Sequence, residues 1–354
     1  MKKVYRVTGL MSGSSMDGVD LACCDLSWED HRWNYHILEA ETFPYEDELL
    51  GKLEQACNWD MEMIRKLDLE LGFHYAGLLN EFHRKSGLLP EFIASHGHTI
   101  LHDPQRSLTY QAGNGRIMAQ ETGLMVINDF RSEDVAQGGE GAPLVPLGDR
   151  MLFPQYEGCL NLGGFANISF TNSKGQLIAY DLSPANMALN RVAALEGLTF
   201  DLDGKMARSG KVQQELFDQL NRLEYYSETG PKSLGREWFL QNFLPIIQQN
   251  KLDTPDLMAT VLEHIAFQIS RGIHKAGVQS LLLSGGGVLN QTLVERLKKL
   301  SGASLVIPEE KLIHYKEALI FALLGTLKFR GEINCLASVT GGRKDLSAGT
   351  IYNI

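Results

Sequence analysis

One pattern occurs twice in this chain and limits the fold more than any other feature. Two apolar runs, Val4 to Leu10 and Val19 to Leu26, flank the stretch Gly-Leu-Met-Ser-Gly-Ser-Ser-Met-Asp-Gly-Val-Asp at 9–20. About 150 residues later, residues 159–170 (CLNLGGFANISF) repeat apolar run, glycine turn, apolar run. A short glycine-bearing turn between such runs predicts an antiparallel hairpin. Glycine at 13 and 18 can take positive φ and lets backbone N–H groups approach an anion closely, and Gly163-Gly164 form the turn of the second hairpin. The first turn adds hydroxyl donors at Ser12, Ser14 and Ser15, and carboxylates at Asp17 and Asp20 that suit a hydrated Mg²⁺. A single polar hairpin loop would be ordinary; its echo in pattern and length makes the pair more telling than either alone.

The rest of the chain supplies helices and further strands. Ile64, Leu67, Leu71, Tyr75, Leu78 and Phe82 recur at helical spacing over 60–86, with Asp60 to open the helix and Gly87 to close it. Residues 35–43, 92–95, 108–111 and 124–128 read as short strands. Strands interleaved with long helices predict an α/β architecture, and 354 residues suffice for two domains with sizeable cores. A net charge of −10 without a basic stripe argues against a nucleic-acid partner. No apolar run approaches the ~18 residues of a membrane span, and the N-terminus lacks a signal-peptide core. Five cysteines without a Cys-x-x-Cys pair favour reduced thiols in a cytoplasmic protein.

Several strand ends carry chemistry-bearing residues. His96-Gly97-His98-Thr99 follows the run 92–95, and α/β sheets bind ligands at such carboxyl ends. His96, His98 and His102 have no carboxylate or cysteine at a spacing that completes a zinc site. Asp129-Phe130-Arg131 follows 124–128, where Arg131 can clamp an anionic group; Gly138, Gly139 and Gly141 then permit close backbone approach or an interdomain hinge. The run 176–182 carries Asp181 near its end. Ser183 is expected to cap the next helix and Pro184 to start it, with Ala188, Val192 and Leu195 facing inward. A carboxylate at that junction can deprotonate a hydroxyl or water, or simply cap the helix. Thr254 and Pro255 open a helix over 254–276. Residues 280–290 read as a buried strand, then Gly285-Gly286-Gly287, then a helix. That turn offers bare backbone to a planar base or ribose, and it is neither a Rossmann fingerprint nor a P-loop.

The stretch 9–20 resembles the N-terminal signature of the anhydro-N-acetylmuramic acid kinase family, within the sugar-kinase, actin and heat-shock-chaperone ATPase superfamily. The resemblance recurs at His96–Thr99, 129–144, 181–186, 201–210, 231–237, 285–290 and 317–322, and so covers nearly the whole chain. It implies two ribonuclease-H-like domains of the actin/hexokinase-type ATPase fold with an ATP cleft between them. It places 1–128, completed by 335–354, in the first domain, and 129–334 in the second. It implies Asp181 as catalytic base, and ATP with Mg²⁺ held by Ser12, Gly13, Ser14, Ser15, Asp17, Gly18, Asp20, Gly163, Gly164, Asn167, Gly285, Gly286, Gly287 and Asn290. Asp17 and Asp20 are the metal candidates. His96, Thr99, Asp129, Arg131 and Glu317 are the sugar candidates, with Glu317 beginning the last long helix.

The implied reaction opens 1,6-anhydro-N-acetylmuramic acid with water and phosphorylates O6, as in cell-wall murein recycling. A homodimer is the assembly to expect first. The chain departs from the family pattern at His98 and Glu140, where glutamine is usual, and at Leu182-Ser183, where Thr-Gly is usual. Those departures keep in view a kinase of the same fold acting on another sugar; a chaperone-like ATPase without a sugar substrate is a further alternative.

Overall fold

In a computed structural model, residues 4–13, 16, 18–228 and 232–354 are described. The expectations for Ser14, Ser15 and Asp17 lie outside them. The chain divides into two compact units, Met1–Leu152 with Tyr315–Ile354, and Phe153–His314. The divisions fall at 152/153 and 314/315 rather than at 128/129 and 334/335. Packing explains the shift. The segment after 128 stays with the first unit because Asp134 accepts a hydrogen bond from Thr340 Oγ1 and Lys316 pairs with Asp149.

Twelve strands among the described residues form two sheets: β1 (Val4–Ser12), β2 (Val19–Glu29), β3 (Arg32–Phe43), β4 (Phe92–Asp103), β5 (Leu108–Ala112), β6 (Met125–Asn128), β7 (Gly158–Leu162), β8 (Phe165–Thr171), β9 (Leu177–Pro184), β10 (Ser280–Ser284), β11 (Ser304–Val306) and β12 (Thr350–Tyr352). The first unit's sheet runs β12-β6-β4-β1-β2-β3, with β5 added to β4; the second unit's runs β11-β10-β7-β8-β9. Without β5 and β12, the two orders are the same. Three antiparallel strands lead each, and two strands join in parallel beside the first of the three. This is the ribonuclease-H-like plan, present twice. Both predicted hairpins are the opening strand pairs, β1–β2 and β7–β8.

Helix ends follow local chemistry. Met61–Ser86 starts at Asp60, whose carboxylate accepts from the Met63 N–H, and stops at Gly87 in the left-handed region. The cap of Thr254–Ala276 is Asp253 rather than Thr254, because its carboxylate accepts from Asp256 N and leaves Thr254 inside the helix. Ser183 and Pro184 do not start a helix. They extend β9 to pair with Ala166 and Phe165, and the helix Asn186–Ala193 begins after Ala185. That helix ends before Leu195, which is exposed rather than core. The last long helix, Glu310–Phe329, begins seven residues before Glu317.

Glu310–Phe329 lies close against the first sheet. A Cβ on Gly9 of β1 would overlap the Ala318 carbonyl, and one on Gly325 would overlap the Ala94 side chain of β4. Gly9→Ala should therefore lower the unfolding free energy by about 1–3 kcal/mol, the cost of overpacking a filled core. Gly77→Ala, in the middle of Met61–Ser86 where the new methyl meets nothing, should instead raise it by about 0.5–1 kcal/mol. Denaturant unfolding of both variants checks the pair.

Candidate active site

In the first unit the strand holding His96 runs on past Ser95 to Asp103, so His96 is not at its end. It does stand where the parallel ladder stops. β6 pairs with β4 only as far as Ser95, and β1 only as far as His98. Beyond that, β4 turns to pair with β5. His96 Nδ1 lies 2.9 Å from the Gly97 carbonyl, which can only accept, so Nδ1 carries the hydrogen. Nε2 is then an acceptor, and it is buried with no partner among the described residues. Burial, reinforced by Arg131, holds the imidazole well below its ordinary pKa and keeps it neutral. Phe321 packs on the ring with centroids 4.6 Å apart.

Arg131 follows β6, and its Nε–H is also buried without a partner. Desolvation lowers its pKa to about 10, opposed by Glu317. Glu317 is raised above the usual carboxylate value, chiefly by desolvation, with Asp20 and Asp149 pushing the same way and Lys316 and Arg131 pulling back. Thus His96, Arg131, Glu317 and Asp20, far apart in sequence, fall within one electrostatic cluster. An unpaired acceptor, an unpaired donor and a poised acid suit a hydroxyl-rich ligand that carries negative charge.

Other residues expected here have structural partners. Asp129 Oδ1 accepts from Ser132 N, and Asp20 Oδ1 accepts from Thr42 Oγ1 at 2.6 Å. Thr99 lies opposite Gln111 in the β4–β5 pairing. Gly139 and Gly141 fold around the buried Asp134, whose carboxylate accepts from Gly141 N at 2.8 Å. Gly18 is needed because a Cβ there would meet the Phe43 carbonyl at 2.6 Å.

The second unit assembles a different set. Ser284, Asn161, Asn167 and Asp181 stand opposite one another on β10, β7, β8 and β9, making one polar row across four strands. Sequence reasoning singled out only Asn167 and Asp181. The signal for the other two was a polar residue breaking each apolar run, in Cys-Leu-Asn-Leu and in Leu-Leu-Leu-Ser. Asp181 lies inside β9, not at a helix N-terminus, and its carboxylate accepts from Leu234 N at 2.7 Å and from Ser233 Oγ at 3.3 Å. Burial raises its pKa, and these two donors oppose the rise. Leu182 has no partner on β8, because Asn167 faces Asp181 and Ala166 faces Ser183. It is the extra residue of a β-bulge. Its side chain packs on Gly272, while Ser183 Oγ lies 3.4 Å from Tyr226 Oη.

The two glycine turns of this unit meet. Gly163 and Gly164 offer carbonyls to the N–H groups of Ala185, Asn186 and Met187, which closes that helix end against the turn. A Cβ on Gly285 or Gly287 would strike Asn161 or the Leu162 backbone, at 2.5 Å and 2.8 Å respectively. At Gly164 and Gly286 a Cβ would find its nearest neighbour only at 3.8 Å and 3.9 Å, so backbone is open there. Asn290 caps the helix Gln291–Ser301 through Oδ1, with Leu293 N donating. Open glycine backbone beside a polar row fits a nucleotide. Among the described residues no three His, Cys, Asp or Glu side chains are grouped to hold a metal ion.

Two ribonuclease-H-like units, each opened by a glycine-turn hairpin and the second carrying an acid within its polar row, define the actin/hexokinase-type ATPase fold. Residues 5–354 match the family model described as anhydro-N-acetylmuramic acid kinase, and the chain belongs to that family. Relatives bearing that name include the Caldanaerobacter subterraneus subsp. tengcongensis protein, 33% identical over 99% of this chain and 97% of its own length. The Shewanella sp. (strain ANA-3) protein is 34% identical over 99% of this chain and 98% of its own. Among solved structures, the activator of 2-hydroxyisocaproyl-CoA dehydratase from Clostridium difficile aligns over 90% of this chain and 93% of its own, with TM-score 0.46 and 14% identity. A ROK hexokinase from Thermus thermophilus aligns over 91% and 99%, with TM-score 0.38 and 14% identity.

The raised pKa of Asp181 has a consequence for stability. The folded state disfavours its charged form, so the fold bears that penalty above the folded pKa and is free of it below the ordinary carboxylate value. Asp181→Asn should therefore raise Tm at pH 7, and the gain should shrink as pH falls through the acidic range. Melting curves across that range check the sign.

Proposed function

We propose that the protein is a Mg²⁺-dependent ATP:sugar phosphotransferase that converts 1,6-anhydro-N-acetylmuramic acid to N-acetylmuramic acid 6-phosphate, with Asp181 as base. The carrying observation is Asp181 itself, a partly buried carboxylate held by two donors, with a raised pKa, in the polar row of the second unit. Such a group is more basic than a free aspartate, as a general base requires.

In this reading Asp181 takes a proton from water as the water oxygen bonds to C1 of the sugar. The C1–O6 bond breaks and its electron pair goes to O6. O6 bonds to the γ-phosphorus as the bond from that phosphorus to the bridging oxygen of ADP breaks. Sugar, water and ATP thereby yield the 6-phosphate and ADP, with the water proton on Asp181. Phosphoryl transfer needs mainly positioning and charge neutralisation. Gly13 and Gly18 of the first hairpin, and Gly163, Gly164, Gly285, Gly286 and Gly287, supply backbone for the nucleotide, with Asn167 and Asn290 beside them. Mg²⁺ neutralises phosphate charge when bound. Asp20 and Asp17 are the chain's candidates that would hold it.

The sugar falls to the first unit's cluster. His96 Nε2 accepts from a hydroxyl, Arg131 Nε–H meets the lactyl carboxylate, and Glu317 orients the reacting end, with Thr99 and Asp129 alongside. The changes at Leu182 and Ser183 count little against this substrate. One side chain packs on Gly272 and the other reaches toward Tyr226, so neither displaces the Asp181 carboxylate from its donors. The reading takes the protein as cytoplasmic and, by the commonest habit of soluble oligomers, as a homodimer.

ADP release from Mg-ATP should depend on 1,6-anhydro-N-acetylmuramic acid and fall at least ~10³-fold in Asp181→Asn, since the general-base contribution is lost. Turnover with another amino sugar but not this one would move the substrate assignment. ADP release indifferent to any sugar would remove the kinase reading.

A further inference from the structure

The expectation that Ser12 donates its hydroxyl to a phosphate does not suit its surroundings. Ser12 is the last residue of β1 and only 1% exposed. Its Oγ lies 2.6 Å from Tyr45 Oη and 2.8 Å from His98 Nδ1, and Tyr45 Oη lies 2.9 Å from Tyr75 Oη. The Ser12 hydroxyl is thus built into a buried chain. His98, 2% exposed, is driven by desolvation to a pKa of about 4 and is neutral at pH 7. With Nδ1 as its acceptor nitrogen, Tyr75 donates to Tyr45, Tyr45 to Ser12, and Ser12 to His98. Each hydroxyl hydrogen is then used once, and none is left for a ligand.

The backbone aims His98 at this serine. Between Leu10 and Ser12 the β1–β4 register shifts: Leu10 faces Ser95, but Ser12 faces His98. Two steps on β1 therefore span three on β4, the mark of a β-bulge, and bulges redirect side chains. Gly97 makes the bulge possible. Its φ is +71°, and a Cβ there would sit 2.6 Å from the Ala112 carbonyl. The Tyr45 ring meets the His98 ring edge-on at 6.4 Å and stacks on His74 at 5.9 Å, which fixes the aromatic end of the chain.

We infer that His98 is a positioning residue for the nucleotide: through Nδ1 it locks Ser12 at the exit of β1 and so sets the backbone of Gly13, the first glycine of the phosphate-approaching turn. This rests on the proposed role of that hairpin, not on the identity of the sugar. It also explains how a histidine can stand at this position without entering the sugar site, since one ring nitrogen suffices for the serine.

The test measures Mg-ATP affinity of the full-length protein by calorimetry, which needs no sugar, alongside KM for ATP and for 1,6-anhydro-N-acetylmuramic acid. His98→Leu should weaken ATP binding roughly tenfold, the equivalent of one hydrogen bond of ordinary strength. It should leave KM for the sugar within about twofold. His98→Asn, whose Oδ1 can occupy the place of Nδ1, should recover most of the affinity, a rescue that generic loss of packing would not give. Ser12→Ala combined with His98→Leu should be no worse than the poorer single variant, because both cut the same link. Fully additive losses, no recovery by asparagine, or a change confined to KM for the sugar would overturn the inference. If ATP binding follows this pattern while the wild type releases no ADP with the sugar, the substrate assignment fails and the positioning role stands.

Discussion

The approach of the helix Glu310–Phe329 to the first sheet governs where the chemistry of that unit can sit. Glycine at 9 and 325 lets helix backbone and strand come closer than any side chain would allow. The same helix carries Lys316 and Glu317 side by side and Phe321 one turn further on. Lys316 is buried and 2.8 Å from Asp149; two charges out of water gain little net stability but tolerate only one arrangement. That pair ties the helix to Asp149, and on the same helix Phe321 covers the His96 ring and Glu317 enters the field of Arg131. The cluster of His96, Arg131 and Glu317 is thus a consequence of packing, and the unpaired nitrogens of His96 and Arg131 are what remains once packing is satisfied.

The second unit achieves its site by register instead. A polar row can cross a sheet only if four strands place polar residues at the same height, and Ser284, Asn161, Asn167 and Asp181 do. The bulge at Leu182 absorbs one residue just past the acid, so the hydrogen bonds between Asp181 and the segment 233–234 coexist with a continuous ladder. Burial pushes that carboxyl's pKa up and the two donors pull it back, so it stands above the ordinary aspartate value at some cost to stability.

Much of this was legible in the sequence. The two hairpins, the Asp60-to-Gly87 helix and the glycine run after β10 announce themselves through local chemistry, because apolar runs and glycine turns act over a few residues. The failures share another cause. Ser183-Pro184 has the chemistry of a helix start, but Phe165 and Ala166 on β8 extend the ladder and hold it as strand. Thr254 is a good cap, yet Asp253 reaches the free N–H first. Gly139 and Gly141 look like an anion loop until the buried Asp134 appears beneath them. In each case a partner distant in sequence decides, and spacing cannot reveal it. The Ser284–Asn161 part of the polar row stayed hidden for the same reason, since register between strands is a tertiary property.

The central claim is that Asp181, tuned by burial against two donors, is the base. The most direct measurement is the pH dependence of kcat/KM for 1,6-anhydro-N-acetylmuramic acid at saturating Mg-ATP, in wild type and in Ser233→Ala. The account predicts an acid limb above the ordinary aspartate value of 3.8 that moves further up when the Ser233 hydroxyl no longer stabilises the carboxylate. A limb that stays in place in Ser233→Ala, or a rate that runs level through the acidic range, would contradict it.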